Sequence, residues 1–318
     1  MAGLRVRSAP MPCPMPDSPA TSTPPTHAAL DVMAVVVTYH PPPELAAHLR
    51  AIRRQVGALV VVDNGSPDAA RTAALCAELG AGFIGNTNNE GIARALNQGA
   101  EQARAGGFRW LATFDQDSAP PDGLVPGLLA LAQRHPDAAR VGIVAASFHD
   151  RHLGRTWSDP SNTLVDGPDW REVRTLITSG SLVAMASFDD IGGYDERLFI
   201  DFVDHDHCHR LRRAGWRLLQ SKTLLIDHAI GQLTPHRFLG RTVHCSNHSP
   251  ARRYYMTRNQ LEFYRRCALD EPYLALWGVA NVALRSLLTV LYEEQRGAKA
   301  RAIVRGVWHF LIRRFGRL

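Results

Sequence analysis

The sequence predicts an α/β fold with a mostly parallel central sheet covered by helices and followed by a C-terminal helical extension. Two observations predict it. From about residue 32 onward, apolar runs alternate with helical patterns, which is the arrangement that builds such a sheet. A chain of 318 residues, 45% of them hydrophobic, is also long enough to bury a full core.

The expected elements are assigned from apolar periodicity and from the polar residues that end each run. Strands are expected over 32–39, 58–62, 110–114, 140–147 and 176–186. Helices are expected over 44–55, 91–105, 124–134 and 204–214, and the pattern is helical from about residue 251. We therefore divide the chain into 1–30, a Pro-rich leader expected to be disordered; 31–250, the α/β domain; and 251–318, a basic helical region.

Charge and cysteine usage exclude several protein classes. The leader lacks the apolar core of a secretory signal, and five cysteines without a CxxC pair argue against a disulfide framework or a structural zinc site. A reducing cytoplasm fits this pattern. The net charge is +6, but arginines crowd the last sixty residues. This asymmetry favours contact with an anionic surface.

The C-terminal region has two segments that suit a membrane surface. Residues 273–292 are mostly apolar but are interrupted by Asn281 and Arg285. We therefore expect this segment to lie on the membrane surface, and we favour this over a helix that spans the membrane. From residue 298, apolar side chains share one helical face and arginines lie mostly opposite. Such a helix lies at a membrane interface or packs on the α/β domain, and the sequence leaves both open.

Polar residues end or directly follow three of the expected strands. They are Thr38-Tyr39, Asp63-Asn64 and Asp115-Gln116-Asp117. Ligands of open α/β sheets bind beyond the carboxyl ends of the strands, so these residues are expected to converge on one crevice.

Asp115 and Asp117 are candidates for a metal site. Two carboxylates one residue apart at a chain reversal can reach one divalent cation and the diphosphate that it bridges. The alternative is turn chemistry, for which Asp-x-Asp is common. Asp63 can likewise offer a carboxylate to a base or ribose, or cap the next helix with Ser66. The first strand is not followed by GxGxxG, which counts against a dinucleotide oxidoreductase.

Three further segments carry candidate ligands. Asn89 and Gly91 precede a helix that contains Asn97, and a helix N-terminus is a natural site for phosphate or sugar oxygens. Capping or a solvent-facing Asn97 would also explain this segment. Ser179-Gly180 follows an apolar run and is interpreted as an acceptor-site turn. Arg258 lies in a basic, aromatic helix start that meets a diphosphate-linked acceptor or simply packs.

Seven segments then resemble the bacterial rhamnosyltransferases of glycosyltransferase family 2, which have the GT-A fold. The segments are VVVTYHP, VVVDNGS, NNEGIARALNQG, WLATFDQDS, ITSGSL, IGGYDERLFIDFVDHDHCHRLRRAGW and the HxIG segment that begins at His228. They agree in order over about residues 32 to 260.

The resemblance implies a family function and a set of roles. It implies inverting transfer of a sugar, such as L-rhamnose from dTDP-L-rhamnose, with Mg²⁺ or Mn²⁺, to a lipid-linked or polysaccharide acceptor of a cell-surface glycan. The GT-A catalytic domain would then be residues 31–250. The expected ligands of the metal and diphosphate are Asp115, Asp117 and His228, and those of the nucleotide are Thr38, Tyr39, Asp63 and Asn64.

The same resemblance places the general base in the acidic helix start after Phe202. Asp204 is expected to accept the acceptor's proton, with Asp206 as the fallback. Relatives often have Glu before this aspartate and an aromatic residue at the position of His207, whereas this chain has Val203 and His207. These departures leave the choice between the two aspartates open.

Several alternatives remain beside this interpretation. The acids near residue 204 also suit a helix N-terminus, and His205, His207 and His209 resemble a zinc site, although they do not share one helical face. A non-catalytic nucleotide-sugar-binding scaffold, a UDP-hexose transferase and a nucleic-acid binder are the competing functions. We expect no nucleic-acid partner, and a location in the cytoplasm at the inner face of the cytoplasmic membrane.

Overall fold

The computed structural model describes residues 31–150, 155–156, 160–228, 234–238 and 240–318. The expected leader, residues 1–30, lies outside this part of the chain. The strands are β1 (Val32–Thr38), β2 (Ala58–Asp63), β3 (Gly82–Gly85), β4 (Trp110–Asp115), β5 (Val141–Asp150), β6 (Arg155–Thr156), β7 (Thr163–Asp166), β8 (Trp170–Val173), β9 (Ser181–Ala184), β10 (Arg217–His228), β11 (Thr234–Phe238) and β12 (Arg241–Cys245). The helices are α1 (Leu45–Arg53), α2 (Ala69–Glu78), α3 (Ile92–Ala105), α4 (Leu124–Arg134), α5 (Met185–Asp190), α6 (Val203–Arg213), α7 (Pro250–Cys267), α8 (Pro272–Tyr292) and α9 (Arg296–Leu311).

The central sheet has the order β3-β2-β1-β4-β9-β5-β10-β8-β7, with β6 paired to β5. Its first four strands are parallel, and β5 and β10 are parallel to each other. The short β9 runs antiparallel between β4 and β5. The predicted α/β class with a mostly parallel sheet and a helical C-terminus is confirmed.

Both faces of the sheet are covered, and β1 shows why its sequence is apolar throughout. Val32, Ala34 and Val36 pack into one core with α1 and α4, whereas Met33, Val35 and Val37 pack into a second core with α3. Successive side chains of a strand point to opposite faces. A strand buried on both faces therefore needs a continuous apolar run, and each fully buried valine contributes about 1.5–3 kcal/mol.

One predicted element is partly wrong. The expected strand over 176–186 is shorter in the structure, where β9 covers only Ser181–Ala184 and the helix α5 begins at Met185. The apolar run alone does not show where the strand stops. The preceding residues form a turn at Gly180, whose backbone φ is +72°. This turn places Ser179 beside the end of β4.

Candidate functional site

The carboxyl ends of β1, β2 and β4 form a crevice, which we call the strand-end crevice. Register places Thr38 opposite Asp63 and Val37 opposite Asp115, so the predicted polar residues share one edge of the sheet. The Thr38 hydroxyl donates to Asp63 Oδ2 at 2.9 Å, and both residues are fully buried. Asp63 Oδ1 accepts the Ser66 N–H at 2.7 Å. Asp63 thus fixes the turn after β2 at the base of the crevice.

Asn64 joins this turn to the start of α3. Its Nδ2 donates to Asn89 Oδ1 at 3.1 Å, and its Oδ1 accepts the Glu90 N–H at 2.9 Å. Asn89 Oδ1 also accepts the Gly91 N–H at 2.9 Å. Gly91 has φ +88°, and a Cβ there would lie 2.5 Å from the carbonyl oxygen of Phe199. Only glycine fits this close approach, which anchors the loop around Phe199 to the crevice.

Gln116 connects the ends of β1 and β4. Its Oε1 accepts the Tyr39 N–H at 2.9 Å, and its Nε2 donates to the Tyr39 carbonyl at 3.2 Å. The Tyr39 side chain is 45% exposed. The amide of Gln116 is therefore engaged by backbone, while the exposed ring of Tyr39 offers a flat apolar face at the mouth of the crevice.

Asp115 and Asp117 lie at the reversal after β4, where Ser118 N–H donates to the Asp115 carbonyl at 3.1 Å. Asp115 is half-buried and Asp117 is exposed. Mg²⁺ is usually held by one or two carboxylates together with waters and substrate phosphates. The pair fits this donor set, and among the described residues no group of three or more His, Cys, Asp or Glu side chains converges. The His228 side chain, the third predicted ligand, lies outside the described part.

Ser179 and Gly180 form the wall beside these aspartates. Ser179 Oγ accepts the Asp115 N–H at 3.1 Å and lies 2.6 Å from Ser118 Oγ, and Gly180 N–H donates to the Thr113 carbonyl at 2.9 Å. Ser179 is only 1% exposed. These residues bond to β4 and to the loop after it, and so position that loop. The predicted role was direct contact with the acceptor.

Asp204 lies in the first turn of α6 with its side chain 22% exposed. Its Oδ1 accepts hydrogen bonds from the His205 N–H at 2.8 Å and pairs with His205 Nδ1 at 2.9 Å. Burial alone raises the pKa of Asp204, but the charge and hydrogen bonds of His205 outweigh it and hold that pKa below its ordinary value. From the sequence, His205 was a candidate only as a zinc ligand. The structure shows that it is the hydrogen-bond partner of Asp204.

The backbone before α6 bends sharply at residues 198–202, which we call the acceptor-side bend. Phe199, Asp201 and Phe202 have φ of +67°, +64° and +63°. Left-handed backbone is costly for such residues and persists only when the surroundings hold it. Asn259 of α7 supplies that support, because its Nδ2 donates to the carbonyls of Leu198, Ile200 and Asp201 at 2.8, 2.7 and 2.9 Å. Sequence reasoning missed Asn259, although it lies in the segment around Arg258.

Arg258 supports the same bend from the interior. It is fully buried and donates to the carbonyls of Leu198 at 3.1 Å and Gly316 at 2.8 Å. Its guanidinium also lies 5.2 Å from the ring centroids of Tyr254, Tyr255 and Phe315. The prediction that Arg258 contacts an acceptor disagrees with this burial, and the alternative of a packed helix describes it better.

Asp206 and Asn97 are also committed elsewhere, contrary to their predicted roles. Asp206 is 1% exposed, accepts from Arg210 Nε at 2.8 Å and pairs with Arg266. Asn97 Nδ2 donates to the Tyr194 carbonyl at 3.0 Å and to Glu196 at 2.9 Å, while its Oδ1 accepts the Tyr194 N–H. Burial denies Asp206 the access to substrate that a base needs, and the amide of Asn97 already has protein partners at both its nitrogen and its oxygen.

The zinc alternative has no geometric support among the described residues. His207 is 1% exposed and stacks on Tyr194 at 4.2 Å between ring centroids, and burial lowers its pKa to about 3. His209 instead lies 3.7 Å from Cys267. His205 pairs with Asp204. The three side chains therefore point to three different surroundings.

Comparison with known proteins identifies the family of the chain. The model of the family described as "Glycosyl transferase family 2" matches residues 33–192. A relative named dTDP-rhamnosyl transferase RfbF from Shigella flexneri is 30% identical over 254 residues, covering 74% of this chain and 80% of that protein. A Mycobacterium tuberculosis protein named N-acetylglucosaminyl-diphospho-decaprenol L-rhamnosyltransferase is 29% identical over 225 residues, covering 58% and 72%.

Two solved structures share the fold. The S. aureus TarS 1–349 crystal structure has a TM-score of 0.56 at 15% identity, covering 89% of this chain and 81% of that one. The structure of GalNAc-T7 with UDP, GalNAc and Mn²⁺ has a TM-score of 0.52 at 13% identity, covering 72% of this chain but only 47% of the other. These likenesses establish the fold. Together with the family match and the RfbF relative, they show that this chain is a glycosyltransferase that belongs to family 2 and resembles its bacterial rhamnosyltransferases.

Proposed function

We propose that the protein transfers a sugar, L-rhamnose from dTDP-L-rhamnose, with inversion to a hydroxyl of a lipid-linked or polysaccharide acceptor of a cell-surface glycan. The names of its two rhamnosyltransferase relatives support the donor, and the diphospho-decaprenol in one name supports a lipid-linked acceptor. The expected partners are therefore a nucleotide sugar and a glycan or glycolipid, and no nucleic acid.

One observation carries the proposal: a short turn connects the two aspartates of the crevice to Asp204. Ser179 in this turn bonds to the Asp115 N–H. Its neighbours Thr178 and Ser181 line a void of about 10 Å³ together with Asp204. Inverting transfer needs a charged-leaving-group site and a base on opposite sides of the reacting carbon. The turn supports this arrangement because it bonds to the backbone of Asp115 and lies beside Asp204.

Asp115 and Asp117 would hold a divalent cation, Mg²⁺ or Mn²⁺. Such an ion, when bound, neutralises the charge of the departing diphosphate. The chain's own contribution is to fix the loop that carries both carboxylates, through the bonds of Ser179 and Ser118. The structure of GalNAc-T7 with UDP, GalNAc and Mn²⁺ supports a metal in a related fold.

Asp204 would accept the proton of the acceptor hydroxyl. Its lowered pKa keeps the carboxylate ionised at neutral pH, so it is ready to act as a base. His205 orients the carboxylate through Oδ1. The acceptor-side bend and its support by Asn259 then set the position of α6 relative to the crevice.

The C-terminal helices support a place at the inner face of the cytoplasmic membrane. The helix α8 is long and apolar enough to cross a membrane by length and composition, and 28% of its most apolar window is buried. Apolar side chains are exposed on α8 and α9; they include Tyr273, Leu276, Trp277, Val304 and Trp308. Exposed arginines of α9, such as Arg301 and Arg305, suit anionic lipid headgroups.

The test is turnover and binding of a panel of nucleotide sugars, including dTDP-L-rhamnose and UDP-hexoses, with and without Mg²⁺ or Mn²⁺. We expect metal-dependent turnover of dTDP-L-rhamnose. Preference for a UDP-hexose would replace the donor but keep the chemistry. Binding without turnover, in the presence of acceptor lipids, would support a scaffold and contradict the proposal.

A further inference from the structure

A groove of about 490 Å³ lies near Asp204, between the strands β5 and β10 and the helices α7 and α8. Most of its wall is apolar and is formed by Phe148, Leu176, Ile177, Phe263, Leu274 and Trp277. The rest is lined by more polar residues, which include Asn162, Arg174, Thr175 and His205. The volume falls within the usual range for small-molecule sites. The mixed lining suits a ligand with an apolar part and a polar part.

The inner end of the groove lies at Asp204. His205 lines the groove, and its Nδ1 lies 2.9 Å from Asp204 Oδ1. Leu176 and Ile177 line both the groove and the small void that contains Asp204. A ligand seated in the groove therefore has its inner end beside the proposed base.

The outer end lies on the exposed apolar face of α8. Leu274 and Trp277 line the groove, and Trp277 is also 63% exposed. The same face continues with Tyr273 and Leu276, which are 89% and 74% exposed. The groove is thus continuous with the surface that we assign to the membrane.

Arg174 supplies a guanidinium group to the groove wall. It pairs with Glu271, which also accepts from Arg212 Nη1 at 2.8 Å. Because two guanidinium groups share the Glu271 carboxylate, that carboxylate alone does not neutralise both. Arginine is well suited to bind phosphate oxygens.

We propose that this groove binds the phosphate-proximal isoprene units and the diphosphate of a polyprenyl-diphosphate-linked acceptor. The isoprenoid leaves the membrane past Trp277 and Leu274, the diphosphate lies near Arg174, and the attached sugar reaches Asp204. Leu274 and Trp277 line the groove at α8, Leu176, Ile177 and His205 line it beside Asp204, and Arg174 lines the same groove. The inference rests on the proposed function only for the identity of the acceptor.

The test is titration calorimetry of farnesyl diphosphate into the full chain that has been saturated with dTDP and Mn²⁺. The nucleotide fills the donor diphosphate site, so binding that persists reports a second site. We expect farnesyl diphosphate to bind under these conditions more tightly than farnesol or inorganic diphosphate. Trp277→Ala and Leu274→Ala should each weaken it about tenfold, as truncation of a well-packed anchor does.

The matched controls are Trp308→Ala and Leu291→Ala. Trp308 and Leu291 are 57% and 40% exposed on α9 and α8, and neither lines the groove. These variants should bind farnesyl diphosphate like the wild type. Since Trp277 is largely exposed, its substitution leaves the fold intact and keeps the test decisive even if Leu274→Ala is unstable.

Three results would overturn the groove assignment: no binding of farnesyl diphosphate, its displacement by dTDP, or equal binding by the Trp277→Ala variant and wild type. A separate titration of dTDP alone reports on the donor site. If farnesyl diphosphate binds but dTDP does not, the proposed donor is refuted and the assignment of the groove is retained. If dTDP binds but farnesyl diphosphate does not, only the assignment of the groove is refuted.

Discussion

The strand-end crevice and the acceptor-side bend are stabilised by different chemistry. In the crevice, short side chains at neighbouring strand ends bond to one another, as Thr38 does to Asp63 and Asn64 does to Asn89. The bend is held from a distant part of the chain by α7, through Arg258 and Asn259. The crevice at the sheet edge is therefore stabilised by contacts between neighbouring strand ends. The part of the site that contains Asp204 depends instead on contacts from the C-terminal helices.

A charge network reinforces that dependence. Arg266 of α7 bonds to Asp195 at 2.7 Å and to Glu262 at 2.9 Å, and it also pairs with Asp206 of α6. Glu262 and Asp206 are each 1% exposed. Breaking one member of such a buried network leaves an uncompensated charge. The C-terminal helices are therefore part of the support of α6, beyond any contact with a membrane.

The largest expected effect comes from Asp204→Asn, which tests whether the bend serves chemistry. Removing a general base should lower kcat roughly 10²- to 10⁴-fold while the Kd for the nucleotide sugar stays unchanged. The measurement is sugar transfer under saturating donor, with Tm as the check on folding. Asp189→Asn is the control, because Asp189 pairs with Arg104 at the surface. Wild-type kcat in Asp204→Asn would refute the assignment.

The next effect concerns the crevice alone. Asp117→Asn should raise the Mn²⁺ concentration needed for half-maximal turnover by roughly 10- to 100-fold, the range found when a metal site is weakened. Because Asp117 is exposed, Tm should not change. Asp122→Asn is the matched control, since Asp122 is 75% exposed in the same loop and pairs only with Arg54 among the described contacts. An unchanged metal titration would remove Asp117 from the site.

Asn259→Ala tests the support of the bend from α7. The substitution removes an amide whose two N–H groups are shared among three carbonyls of strained backbone, so the free energy of unfolding should fall by about 2–3 kcal/mol. The nucleotide-sugar Kd should hold while kcat falls, because the crevice does not contact α7 through this residue. Urea unfolding and steady-state kinetics provide the two readings. Asn281→Ala on α8 is the control, and a matching loss of donor binding would show that the two regions are not independent.

The crevice could be predicted from the sequence, whereas the support of the bend by α7 could not. The apolar run of β1 and the polar residues at the ends of β1, β2 and β4 are local signals, so the sheet edge and the candidates Thr38, Asp63 and Asp115 could be predicted. Arg258, Asn259 and Arg266 act on residues some sixty to seventy positions away in the chain. No local periodicity encodes such pairs, and positive φ at Phe199 or Phe202 has no glycine to announce it.

The smallest expected effect is a pH dependence of stability that belongs to the C-terminal side. Burial raises the pKa of Glu262, but hydrogen bonds from Arg265, Arg313 and Arg266 outweigh it and lower that pKa from 4.5 to about 2. A carboxylate whose pKa is lower in the folded state stabilises the fold above its unfolded pKa. That stabilisation is then lost as the pH falls from 4.5 towards 2.

The contribution of Glu262 should be about 2 kcal/mol, less than the full shift implies, because Arg265 and Arg313 are 51% and 46% exposed and therefore screened by solvent. Urea unfolding of the wild type between pH 5 and pH 2 measures it, in buffers of constant ionic strength. Glu262→Gln should flatten this part of the profile, and Glu294→Gln, at an exposed position, should not. If the two variants give the same slope, the arginines do not hold Glu262 ionised, and the contrast between a crevice held by short polar side chains and a bend supported by a charge network fails at Glu262.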